Sequence, residues 1–161
     1  MKINRALLTE GKKQHFSEDI DFSDFVGDAN HCKAILSCHA ELDALDLNDL
    51  LLIALNGVAE VVTTCKYTLE DINLKETFKE EFTISSNQED DSSYFEESNE
   101  IDLKPYILAF ILDKVPHTAI KKGATKPKDG VGYRILTEEE LEKEKSEKSD
   151  PRWAKLDEIE F

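Results

Sequence analysis

Two dipeptides, His31-Cys32 and Cys38-His39, carry the residue types that bind soft metals. Zinc ligands sit about 2.0–2.3 Å from the ion, so their donor atoms must converge within a few ångströms. Six residues span roughly 20 Å as a strand and about 9 Å as a helix. The spacing therefore favours ordinary thiols and surface imidazoles, and no metal or other cofactor is expected. Cys65 brings the cysteines to three, which cannot all pair within one chain, and reduced thiols fit a cytoplasmic protein. His15, His31, His39 and His117 are scattered, no glycine-rich phosphate loop is present, and no nucleophile lies in an elbow motif or beside a base. No catalytic residue is assigned, and the expectation is a non-enzymatic protein.

The remaining chemistry is electrostatic. Asp and Glu total 35 against 20 Lys and Arg, a net charge of −15. One stretch has the opposite sign: residues 114–134 hold Lys114, Lys121, Lys122, Lys126, Lys128 and Arg134 against Asp129 alone. These cations are candidate contacts for RNA phosphates, with Tyr133 as the ring for base stacking. The glycines and prolines among them equally suit a solvated loop. Residues 85–102 are the counterpart, with Glu89, Asp90, Asp91, Glu96, Glu97 and Glu100 and no basic residue. That composition predicts a mobile acidic loop, either without a partner or an arm that meets a basic protein.

These charged stretches need a body to carry them. At 161 residues, 40% hydrophobic and 34% charged, the chain suits one domain with an ordinary core. It has no apolar run long enough to span a bilayer, and Met1-Lys2-Ile3-Asn4-Arg5 lacks a signal-peptide core, so a cytoplasmic protein without membrane contact is expected. Residues 3–9 could form a short helix ending at Gly11, followed by an extended piece over 13–20. Over 34–42, Ala34, Leu36, Cys38, Ala40 and Leu42 alternate with polar residues, as in a strand with one buried face. Residues 45–49 read as a turn and 50–55 as a buried apolar run. Asn56-Gly57 suits either a tight hairpin turn or a bend or bulge in one long strand. In 72–84 the even positions hold Ile72, Leu74, Phe78, Phe82 and Ile84 while the odd positions are all polar, again a strand.

Asp102-Leu103-Lys104-Pro105 opens a helix whose Ile107, Leu108, Phe110, Ile111 and Leu112 leave it apolar around much of its girth, so it must be covered. Thr137 and Glu140 form a capping box for a charged helix, and Asp150-Pro151-Arg152-Trp153 starts another in which Trp153 and Leu156 share a face. The expected organisation is an α+β body over 1–116, a basic irregular loop over 117–136, and a charged helix with a short terminal helix over 137–161. The expected sheet is antiparallel, bent and barrel-like, covered by one apolar helix, with the C-terminal helical tail exposed.

Three stretches in order resemble the YceD family, the large ribosomal RNA subunit accumulation proteins. They are Asn56-Gly57-Val58 through Thr64-Cys65-Lys66-Tyr67-Thr68-Leu69-Glu70 to Phe78, Glu81 and Phe82; then Ile101-Asp102-Leu103-Lys104-Pro105-Tyr106-Ile107 to Pro116; then Gly132 and Ile135-Leu136-Thr137-Glu138-Glu139 to Asp150-Pro151-Arg152. The resemblance implies one long strand through Gly57. It also implies a factor for accumulation, processing or assembly of large-subunit RNA. Many relatives carry a second cysteine just after the first; this chain has Thr68 there and no late cysteine, so their metal chemistry is not carried over. The partner is then a basic ribosomal protein or an rRNA-processing factor, or the rRNA itself through 114–134. Bulk negative charge favours the protein partner, since the RNA backbone repels an acidic chain.

Overall fold

The structure is a computed structural model that describes residues 1–27, 31–87 and 92–147. Its strands are β1 (Lys2–Asn4), β2 (Lys13–Asp19), β3 (Cys32–Leu47), β4 (Leu50–Thr64), β5 (Asp71–Ser85), β6 (Tyr94–Phe95) and β7 (Glu100–Asp102). Its helices are α1 (Lys104–Lys114) and α2 (Glu138–Glu147). The chain divides into two compact units, Met1–Lys122 and Gly123–Phe161.

In the first unit β2 to β6 form one sheet in sequence order. The pairs from β2 to β5 are antiparallel, and β6 joins β5 in parallel. β1 and β7 form a separate two-stranded ribbon. The fold is thus α+β, as the alternation predicted, but the sheet is not a barrel. Closure requires the edge strands to pair along their length; among the described residues β6 contributes only Tyr94 and Phe95, and β2 has no strand partner but β3.

β3 and β4 meet through Asn48 and Asp49, with Asn48 in the left-handed conformation that asparagine tolerates (φ 68°). The strand therefore runs further than its turn-like residues 45–49 suggested. The register of β3 slips between Cys32 and Ala34 and again between Ile35 and Ser37. Each extra residue reverses which face the following side chains occupy. This is why Ile35 is buried and Leu36 is 55% exposed, the reverse of simple alternation.

β4 is one continuous strand through Gly57, with no slip against either neighbour there. Gly57 therefore relieves no bulge. It lies between Ala40 and Phe78 in one cross-strand row, and a Cβ on Gly57 would stand 2.1 Å from Phe78 Cζ. The Phe78 ring, 3% exposed, occupies that space. Along β4, Leu51, Ile53 and Leu55 are buried while Leu50, Leu52 and Ala54 are only half-buried, so the apolar run is two-faced.

Residues 3–9 do not form the expected α-helix. Ile3 is buried opposite Ile101 in the ribbon, and Arg5–Leu7 make a single turn of 3-10 helix. Arg5 donates to Asp46 (3.0 Å) and to the Asn48 carbonyl, tying the N-terminus to the β3–β4 turn. The segment 85–102 likewise contains β6 and β7, because Ile101 and Tyr94 have apolar partners in the body.

α1 begins where the Asp102 carboxylate accepts the Lys104 N–H (3.0 Å), with Pro105 in the first turn. Ile107 and Ile111 are buried in the same core as the strands. On β5, Phe82 stacks with Tyr106 (5.6 Å between ring centroids) and meets Phe110 (5.4 Å). In the second unit the Thr137 hydroxyl accepts the Glu140 N–H (3.2 Å) and the Glu140 carboxylate accepts the Thr137 N–H (2.9 Å), the capping box read from sequence. The terminal helix expected around Trp153 lies outside the described residues.

Replacing Gly57→Ala should destabilise the fold by about 1–3 kcal/mol through overpacking against Phe78, measured by urea denaturation. Pairing it with Phe78→Leu should cost less than the sum of the two single changes. Simple additivity would show that the ring does not fill the space above Gly57.

Candidate interaction surfaces

Three of the six cations in 114–134 already hold carboxylates of the same chain. Lys114, in the last turn of α1, pairs with Glu80 on the inward face of β5 (2.8 Å). Lys121 pairs with Glu70 (2.8 Å), and within the second unit Lys126 pairs with Glu140 (2.6 Å). Hydrogen bonding to these acids raises the pKa of Lys114 and Lys121 and lowers that of Glu70 and Glu140. Glu70 and Glu80 are ten residues apart on an extended chain, roughly 30 Å, so Lys114 and Lys121 do not share one patch. Lys122, Lys128 and Arg134 have no ion pair among the described residues. Tyr133 is 62% exposed and its ring lies against Gly130.

On the acidic side, Glu96 accepts the Tyr106 hydroxyl (3.0 Å), and burial followed by this carboxylate pushes the Tyr106 pKa up to about 12. Glu100 pairs with Lys2 (3.2 Å), whereas Glu97 is exposed with no ion pair among the described residues. Glu89, Asp90 and Asp91 lie outside the described residues, as do Asp150, Pro151, Arg152 and Trp153.

The cysteines differ in chemistry. Cys32 and Cys38 are buried in the core; burial raises both thiols, Cys38 to about 11. His39 faces away from Cys38, with Nδ1 2.6 Å from the Asp19 carboxylate, a hydrogen bond that raises its pKa. Among the described residues no group of three or more His, Cys, Asp or Glu is placed to hold a metal. Cys65 ends β4's run into a tight loop and accepts the Lys121 backbone N–H (3.3 Å). That bond, then the Thr68 hydroxyl and the Thr68 and Tyr67 backbones, outweigh desolvation and lower its pKa to about 7.

A further surface was not apparent from sequence. The outward face of the sheet is polar over Ser37, His39, Glu41, Asn73, Lys75 and Thr77, yet Leu45, Leu52 and Ala54 floor a groove of about 620 Å³ on that face. Register shows why it escaped notice: Leu45 and Leu52 belong to strands whose other face supplies the core, and only their pairing brings them side by side. The usable signal was Leu50, Leu52 and Ala54 alternating with Leu51, Ile53 and Leu55.

A family model described as "Large ribosomal RNA subunit accumulation protein YceD" matches residues 53–160. No curated protein and no solved structure matches the chain. The matched range begins within β4 and takes in the Cys65 loop, β5 and both helices, leaving β2 and β3 outside.

Thiolate absorbance should appear near pH 7 with an amplitude that Cys65→Ser removes, while Cys32 and Cys38 ionise only at higher pH. Because the folded pKa lies below the ordinary thiol value of 9.0, Cys65 adds stability fully above that value, and the contribution is lost as pH falls through about 7. Thr68→Val should move the titration upward; an unchanged curve would exclude the hydroxyl as its cause.

Proposed function

The chain belongs to the YceD family of large ribosomal RNA subunit accumulation proteins, and on that premise we propose that it is a non-enzymatic adaptor or chaperone. In this reading it holds a basic ribosomal protein or rRNA-processing factor during production of the large subunit. The observation that carries it is the internal neutralisation of the basic stretch, with Lys114, Lys121 and Lys126 each on a carboxylate of the chain itself. A phosphate would have to displace those carboxylates against a net charge of −15. A basic protein is instead attracted by that net charge, and it can use acids that have no ion pair among the described residues, such as Glu97.

Direct rRNA binding is the second reading. It rests on Lys122, Lys128 and Arg134, which have no ion pair among the described residues, and on the exposed ring of Tyr133.

The two separate in tagged protein isolated from growing cells after crosslinking. Glutamine or asparagine at Glu89, Asp90, Asp91, Glu96 and Glu97 should reduce co-isolated ribosomal protein or processing factor by about tenfold or more, as expected for loss of several desolvated charges. Lys122→Gln with Lys128→Gln and Arg134→Gln should change it little. Strong RNA crosslinks that the second set abolishes and the first leaves intact would overturn the adaptor reading.

A further inference from the structure

We propose that β2 is a dimerisation edge: two copies of this chain pair their β2 strands antiparallel about Phe16, and their sheets join into one. The pairing is independent of the adaptor reading. The Ile20 N–H donates to the Cys38 carbonyl (2.8 Å), continuing the register that sets Glu18 opposite Ala40, Phe16 opposite Leu42 and Gln14 opposite Ala44. Bonded and unbonded pairs alternate in an antiparallel ladder. Gln14, Phe16 and Glu18 therefore bond to β3, while Lys13, His15, Ser17 and Asp19 turn their N–H and C=O groups the other way. Among the described residues no strand pairs with β2 on that side, and those groups bond to no other segment. All four residues are exposed. The strand has no proline, glycine or bulge to close this edge to a further strand.

The free groups select the register. Centring the pair on Phe16 opposes Lys13 with Asp19 and His15 with Ser17, so all four outward residues exchange bonds with outward residues of the other copy. Centring it on His15 or on Ser17 leaves one of the four without such a partner. The same register matches the side chains. On the outward face Lys13 meets Asp19 twice, once on each side of the two-fold axis, and these side chains are 64% and 89% exposed. On the inner face Gln14 meets Glu18, and Phe16, half-buried against the core, meets its own copy at the axis. No like charges are opposed. Residues 12–19 are also balanced, with Lys12 and Lys13 against Glu18 and Asp19, on a chain whose net charge of −15 otherwise keeps copies apart. A uniformly basic strand lacks this match, because it sets a cation against Lys13 as well as against Asp19.

In sedimentation velocity the full chain should pass from monomer to dimer between about 5 and 500 µM, the weak range expected of a contact strip only 7 residues long. Ser17→Pro removes an N–H that bonds nothing in the monomer, so it should abolish the dimer and leave the folded circular-dichroism spectrum in place. Lys13→Glu and Asp19→Lys should each weaken self-association by about tenfold, because each opposes like charges on both sides of the axis. An equimolar mixture of those two variants should restore it, since every reversed charge then faces its complement. A chain that stays monomeric throughout, a dimer indifferent to Ser17→Pro, or a mixture that associates no more tightly than its components would each overturn the pairing. A monomer whose edge captures a labelled basic peptide, with Ser17→Pro preventing capture, would assign β2 to a partner's strand and overturn it as well.

Discussion

The pairing of β4 with β5 is the constraint on which the first unit depends. It runs without a slip from Leu50 opposite Ser85 to Thr64 opposite Asp71. A shift of one residue would turn Phe78, Phe82 and Ile84 outward and bring Lys75, Lys79 and Glu81 in. Phe78 over Gly57 holds that register at its middle, since the ring needs a position without a Cβ and only one such position faces it. Where pairing does slip, in β3, the strand changes face and sends Leu36 to solvent while Ile35 stays in the core.

This frame also determines which charges remain available. Glu80 occupies an inward-facing position, where an unpaired carboxylate would be costly, and Lys114 at the end of α1 supplies its partner. Arg5, 9% exposed at its side chain, similarly meets Asp46, 13% exposed. Several basic residues therefore serve the fold before they can serve a ligand. A chain with 35 acids and 20 bases leaves most of its unengaged charge negative after those pairings. Such a surface repels nucleic-acid backbone and attracts basic protein, and this is the physical ground for preferring an adaptor to an RNA-binding role.

The outward groove and the Cys65 loop show how one backbone supports unlike chemistry. The groove combines side chains that belong to separate strands and have no common sequence motif. Around Cys65 the donors are mostly backbone N–H groups brought in by the loop itself and by Lys121 from beyond α1. Neither feature uses a residue type that stands out by composition.

Much of the fold was legible in local pattern. The even positions of 72–84, the start of α1 at Asp102 and Pro105, the Thr137–Glu140 box and the family motifs are all set by neighbours within a few residues, where periodicity and capping act. Tertiary structure decided the rest. Whether the sheet closed depended on how β2 and β6 end. Whether Gly57 was a turn, a bulge or a seat for a ring depended on Phe78, which lies far along the chain. The availability of Lys121 depended on Glu70, and the outward leucines became one surface only when β3 met β4. Those outcomes come from contacts between distant residues, and distance along the chain is what periodicity does not carry.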